Sequence, residues 1–126
     1  MIAISSFLLI FLVGVTLATA SEVTGLQAKD NGQEIQVNVG TIIELSLEKQ
    51  GGTGYTWELD QLDKKHFQLV KTETRPLSDK IGAPVLMTWW LKVKNAGESQ
   101  LAMEYFRPWE GKGKAVKHFL VKVSIQ

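Results

Sequence analysis

The chain has 126 residues, a formal net charge of +1, 44% hydrophobic residues and no cysteine. That length fits one domain, and the near-neutral charge without a dense basic block excludes an electrostatic nucleic-acid footprint. The missing cysteines exclude a disulfide framework, a thiolate metal site and a lipid-anchored amino terminus.

Residues 1–20 carry no charged side chain. They contain an apolar run from Phe7 to Leu17, followed by Ala18-Thr19-Ala20. The run has the length of a signal-peptide core and is short for a membrane span, and the small-x-small triplet is a cleavage pattern. The expectation is a signal peptide over 1–20, removed to leave one domain over 21–126. The product would be exported to a periplasm, a secreted fluid or a vesicular lumen, with no membrane attachment after cleavage.

From there the pattern has period two. Ile35, Val37 and Val39 alternate with polar residues, and Ile43, Leu45 and Leu47 do the same. A Gly51-Gly52-Thr53-Gly54 loop follows, and Tyr55 to Leu59 resumes a strand. Asp60 to His66 reads as a polar turn, and Phe67 to Thr72 as another strand. Arg75 to Pro84 reads as a long, turn-rich connection. Val85, Met87, Trp89, Leu91 and Val93 then fall on one face of a strand, assigned to the core, with Trp90 on the other. Leu101, Met103 and Tyr105 form the next strand, and Phe119, Val121, Val123 and Ile125 the closing one. Strict alternation marks antiparallel strands buried on one face. About seven strands in roughly 100 residues predict an all-β, immunoglobulin-like sandwich without a disulfide.

The residues give little support to catalysis. The two histidines, His66 and His118, lack zinc-ligand spacing and read as surface residues. No serine sits in a nucleophile turn, and no carboxylate pair is singled out. The chain is expected to be no enzyme and to need no cofactor or metal.

Three loops are better supplied. Glycines around Thr53 permit close backbone approach and positive φ. In Arg107-Pro108-Trp109, proline limits the loop's freedom and tryptophan offers a large face with few rotamers. Ile81-Gly82-Ala83-Pro84 has small residues that could lie flat on a surface. In a sandwich these three loops can gather at one end as a wedge. Thr53 and Trp109 are the candidate contacts, with Tyr55 and Arg107 as supports. A competing reading is a carbohydrate- or protein-binding module that uses Trp90 and Trp109 as stacking platforms.

The residues also match a known family. Thr53-Gly54-Tyr55, Gly82-Ala83 and Arg107-Pro108-Trp109, in that order on a strand-rich chain, resemble the three loops of chagasin-type inhibitors of papain-like cysteine proteases. The resemblance implies a reversible, tight-binding inhibitor, monomeric, with a papain-like cysteine protease as partner. It implies binding through Thr53, Gly54, Tyr55, Gly82, Ala83, Arg107, Pro108 and Trp109. Two departures stand out. Gln50-Gly51 occupies the place of the family's Asn-Pro, with Gly52 for its first threonine, which is expected to loosen the central loop. Pro84-Val85 replaces two closing glycines of the second loop, which is expected to alter which proteases fit.

Overall fold

The computed structural model describes residues 22–126; the expected signal peptide lies outside them. Among the described residues there are eight strands: β1 (Val23–Leu26), β2 (Glu34–Val37), β3 (Ile42–Lys49), β4 (Thr56–Leu59), β5 (Phe67–Pro76), β6 (Val85–Val93), β7 (Gly97–Phe106) and β8 (Lys117–Ile125). They form two four-stranded sheets, ordered β1-β3-β6-β5 and β2-β8-β7-β4. The edge strands β1 and β2 pair in parallel with β3 and β8. The remaining pairs are antiparallel.

The alternating residues meet between the sheets. Ile43, Leu45, Leu91 and Val93 from the first sheet face Leu101, Met103, Phe119, Val121 and Val123 from the second, all essentially inaccessible to water. Each such side chain adds about 1.5–3 kcal/mol of burial. Cutting Leu91 or Met103 to alanine would cost about 2–5 kcal/mol, because close-packed neighbours cannot collapse into the space.

Three sequence expectations need correction. There is one strand more than about seven: β1, whose Val-Thr-Gly-Leu lacks alternation and buries only Leu26. The connection expected from Arg75 starts later, because β5 runs on to Pro76. This strand is an exposed sheet edge, buried only at Phe67, so no apolar periodicity announces it. Finally, His66 is buried rather than on the surface, at 8% relative exposure. Its Nδ1 lies 2.7 Å from Asp63 Oδ2, which also accepts a 2.8 Å hydrogen bond from the Ser99 hydroxyl. His118 is exposed, as expected, with Nδ1 2.7 Å from Glu104 Oε2.

Strand register fixes where the loops emerge. In the first sheet Lys49, Val85 and Pro76 lie side by side. In the second, Thr56 pairs with Phe106 and Tyr105 with Lys117. The β5–β6 and β7–β8 hairpins therefore turn at the same end. Residues 50–55 cross from β3 in one sheet to β4 in the other between them.

Candidate functional site

The central loop, 50–55, is held by hydrogen bonds rather than left free. Gly52 and Gly54 adopt φ of 77° and 78°, which a side chain would strain. The Thr53 hydroxyl donates to the Gln50 carbonyl at 3.2 Å and accepts from the Tyr55 amide at 3.3 Å. This is a local turn of the kind threonine forms with its own backbone. The loop's base is tied from outside as well. The Gln50 amide donates to the Tyr105 hydroxyl at 3.1 Å, and Arg107 Nε donates to the Thr53 carbonyl at 3.1 Å.

Two glycines make the loop touch its neighbours. A Cβ on Gly51 would sit 2.5 Å from the Ala83 carbonyl oxygen, so the first and second loops meet backbone to backbone. A Cβ on Gly54 would enter the Trp109 ring, so the third loop's tryptophan lies directly on the first loop. The expected loosening at Gln50-Gly51 is not what the packing gives. Gly51 is where the second loop can approach, and its missing side chain closes the gap between them.

The flanking loops are ordered by their own turns. In the second, the Leu77 amide donates to the Pro84 carbonyl at 2.9 Å and the Ala83 amide to Lys80 at 3.1 Å, with Gly82 at φ 77°. In the third, the Glu110 amide donates to the Arg107 carbonyl at 2.9 Å. Pro108 takes the second position of that turn, where its fixed φ is favourable.

Stacking joins the core to the tip. Trp57 and Tyr105 have ring centroids 4.8 Å apart, and Tyr105 and Tyr55 5.3 Å. The Arg107 guanidinium lies 4.5 Å over Tyr55 and 5.8 Å from the Trp109 ring. The column runs from buried Trp57 to Trp109, which is 70% exposed. Arg107 thus bonds and stacks on the first loop, and Tyr55 lies between it and Tyr105. The Thr53 hydroxyl is bonded within its own loop.

Thr53, Gly54, Tyr55, Gly82, Ala83, Arg107, Pro108 and Trp109 all fall in this one cluster. The sequence places Ile81 in the second loop without marking it as a contact, and does not single out Leu77. Ile81 is fully exposed at the tip of the second loop, and Leu77 is exposed at its base. The available signal was an isoleucine between Ser78-Asp79-Lys80 and Gly82-Ala83-Pro84, where no strand exists to bury it. It also placed Tyr105 in the core, which is right for the ring but overlooks the hydroxyl.

The cluster offers a partner surface rather than a reaction chamber. A cleft of about 790 Å³ opens on the flank of the sandwich, between Lys29, Ser46, Glu48, Trp57, Lys117 and His118, and no residue of the three loops lines it. Among the described residues there is no group of three or more His, Cys, Asp or Glu that could hold a metal ion. Trp90 does not join Trp109 in a platform. It stands half-buried on the outer face of the first sheet, opposite Glu44, with the Lys71 ammonium 4.2 Å over its ring.

Residues 36–123, which contain all three loops, match the family described as "Chagasin family peptidase inhibitor I42". The chain belongs to the chagasin family. Chagasin of Trypanosoma cruzi is 28% identical over 96 residues, covering 72% of this chain and 87% of its own. Amoebiasin-2 of Entamoeba histolytica is 29% identical over 93 residues, covering 71% and 73%. The same sandwich recurs in the crystal structure of the cysteine protease inhibitor EhICP2 of Entamoeba histolytica. It superposes with a TM-score of 0.75 at 21% identity over 84% of this chain and 97% of that one. The structure of PbICP-C in complex with falcipain-2 superposes with a TM-score of 0.55, at 21% identity over 85% of this chain and 93% of that one. The chagasin family is one of peptidase inhibitors, not enzymes.

Proposed function

We propose that the chain is a reversible, tight-binding inhibitor of papain-family cysteine proteases. Its three loops enter the protease cleft together as one wedge. The observation that carries this reading is the mutual locking of the loops: Gly51 against Ala83, Gly54 against Trp109, and Arg107 on the Thr53 carbonyl. A wedge already ordered before contact loses little conformational entropy on binding, and this separates tight from weak interfaces of equal area. The central loop occludes the cleft without presenting an extended, cleavable segment, because residues 50–55 are folded on themselves. Trp109 and Ile81 are the apolar anchors on either side, and Gly54, Gly82, Ala83 and Pro108 let backbone approach the cleft walls. Tyr55 and Arg107 contribute by holding the loop. A protease–inhibitor interface buries roughly 1,600 Å² in total, which three loops at the end of a small sandwich can supply. The complex named for one structural relative, PbICP-C with falcipain-2, supports a cysteine protease as partner.

The test is titration of purified protein against papain. The expected outcome is stoichiometric, reversible loss of activity with the inhibitor recovered uncut. Full papain activity at micromolar protein would refute the reading. The same proposal puts the protein outside the cytoplasm, on the leader-like character of residues 1–20. Amino-terminal sequencing of the exported protein should then begin near Ser21.

A further inference from the structure

We propose that Tyr105, beneath the wedge and away from any partner, is the positioning residue that orders the central loop through its hydroxyl. The proposal deepens the inhibitor reading and rests on it for its effect on affinity. Tyr105 is only 4% exposed, so it does not offer its ring to a protease. Its position on β7 links all the parts that must stay in register. The hydroxyl accepts the Gln50 amide at 3.1 Å at the point where the chain leaves β3. The ring stacks between Trp57 and Tyr55, on the two sides of that loop's exit into β4. The Tyr105 carbonyl accepts the Val116 amide at 2.8 Å, closing the third loop's hairpin. One residue therefore sets the height of the first loop relative to the third.

The ring and the hydroxyl have separable tasks. The ring is core, and the sandwich needs it. The hydroxyl serves the Gln50 amide, and Gln50 is exposed. Water can take over that amide in the free protein, so its loss costs the fold little. The cost falls on loop order, which must then be regained on binding.

Tyr105→Phe separates the two tasks. Amide hydrogen exchange at Gln50 should accelerate roughly fivefold, the value of one ordinary hydrogen bond. Thermal stability should stay within a few degrees of the parent. Inhibition of papain should weaken by a similar factor, mainly through slower association, because fewer free molecules carry the loop in its bound form. Tyr105→Leu, which removes the ring as well, should lower thermal stability well below that of Tyr105→Phe. Unchanged Gln50 exchange in Tyr105→Phe would overturn the proposal, whether or not the parent inhibits papain. Accelerated exchange with unchanged inhibition would also overturn it, by showing that loop order does not limit binding. If the parent leaves papain fully active, the inhibitor reading fails by itself, and Gln50 exchange still decides whether the hydroxyl orders the loop.

Discussion

The two ends of the sandwich are built from similar bonds and left in opposite states. At the loop end, side chains tie down backbone: Arg107 to Thr53, Tyr105 to Gln50, Thr53 to its own turn. At the other end Asp63 gathers the His66 ring, the Ser99 hydroxyl and the Lys65 amide, while Asn95 donates to the Lys65 carbonyl. There the polar groups close on one another and His66 is buried. At the loop end the ties leave Trp109 and Ile81 standing in water. Order alone therefore does not mark a functional end, since both ends are ordered. What marks it is apolar surface held rigid and exposed, which costs solubility and has no folding benefit.

Substitution at Gly54 should break this contrast most strongly. Alanine there would meet both the φ of 78° and the Trp109 ring. The backbone strain is about 1–2 kcal/mol, and displacing an anchoring tryptophan adds about 2 kcal/mol or more. Inhibition of papain by Gly54→Ala should thus fall roughly 100-fold or more, with a melting temperature lower by about 5 °C. Equal inhibition by the variant would mean that Trp109 does not need its seat. Trp109→Ala is the milder cut. Its inhibition constant should rise roughly 30-fold, and its melting temperature should hold, because the side chain is 70% exposed. A large fall in stability instead would make Trp109 a cover for the sandwich end.

The closed end should answer in the other currency. His66→Ala removes a buried ring that contacts Asp63 and sits against Gly97, whose added Cβ would lie 2.9 Å from Nε2. It should lose about 2 kcal/mol of stability, read as a melting temperature lower by about 10 °C. The inhibition constant of the folded fraction should stay within twofold. A parallel loss of inhibition would show that the two ends are mechanically coupled through β4 to β7.

Much of this was legible because half-buried antiparallel strands write their burial into alternate residues. β3, β6, β7 and β8 follow that rule, and their order puts the three loops at one end. Where a strand is not half-buried the signal fails. β1 pairs in parallel at an edge and exposes Val23, and β5 beyond Phe67 has solvent on both faces. Roles within the loops were legible only in part. That Arg107 could bond a backbone carbonyl was readable from its guanidinium, and the Thr53 carbonyl is the one it meets. The bond from the Thr53 hydroxyl to the Gln50 carbonyl was not legible, because it is a matter of turn geometry. His66 read as surface because Lys64 and Lys65 precede it, while Ser99, which shares the Asp63 carboxylate with it, lies 36 residues from Asp63 in sequence and is adjacent only in the fold. Gly51 read as slack for the same reason, since the backbone that presses on it belongs to another loop.

Acid should erode the closed end with the smallest effect of all. Hydrogen bonds from Ser99 and then from His66, with the Lys65 amide, hold the Asp63 carboxyl below its ordinary value of 3.8. A carboxyl whose folded value is depressed stabilises the fold fully above its unfolded value, about 3.9. That contribution is lost as pH falls through the folded value. The melting temperature of the parent should thus be flat with respect to this group at neutral pH and decline below about pH 4. In Asp63→Asn the decline should be shallower, starting from a lower plateau, because amide replaces carboxylate at every pH. Within the three loops, Glu110 lies a loose 3.7 Å from Arg107 Nη1. Asp63→Asn and the parent should therefore inhibit papain equally at pH 6. Parallel acid slopes in the two proteins would mean that Asp63 is not the group whose protonation loosens that end.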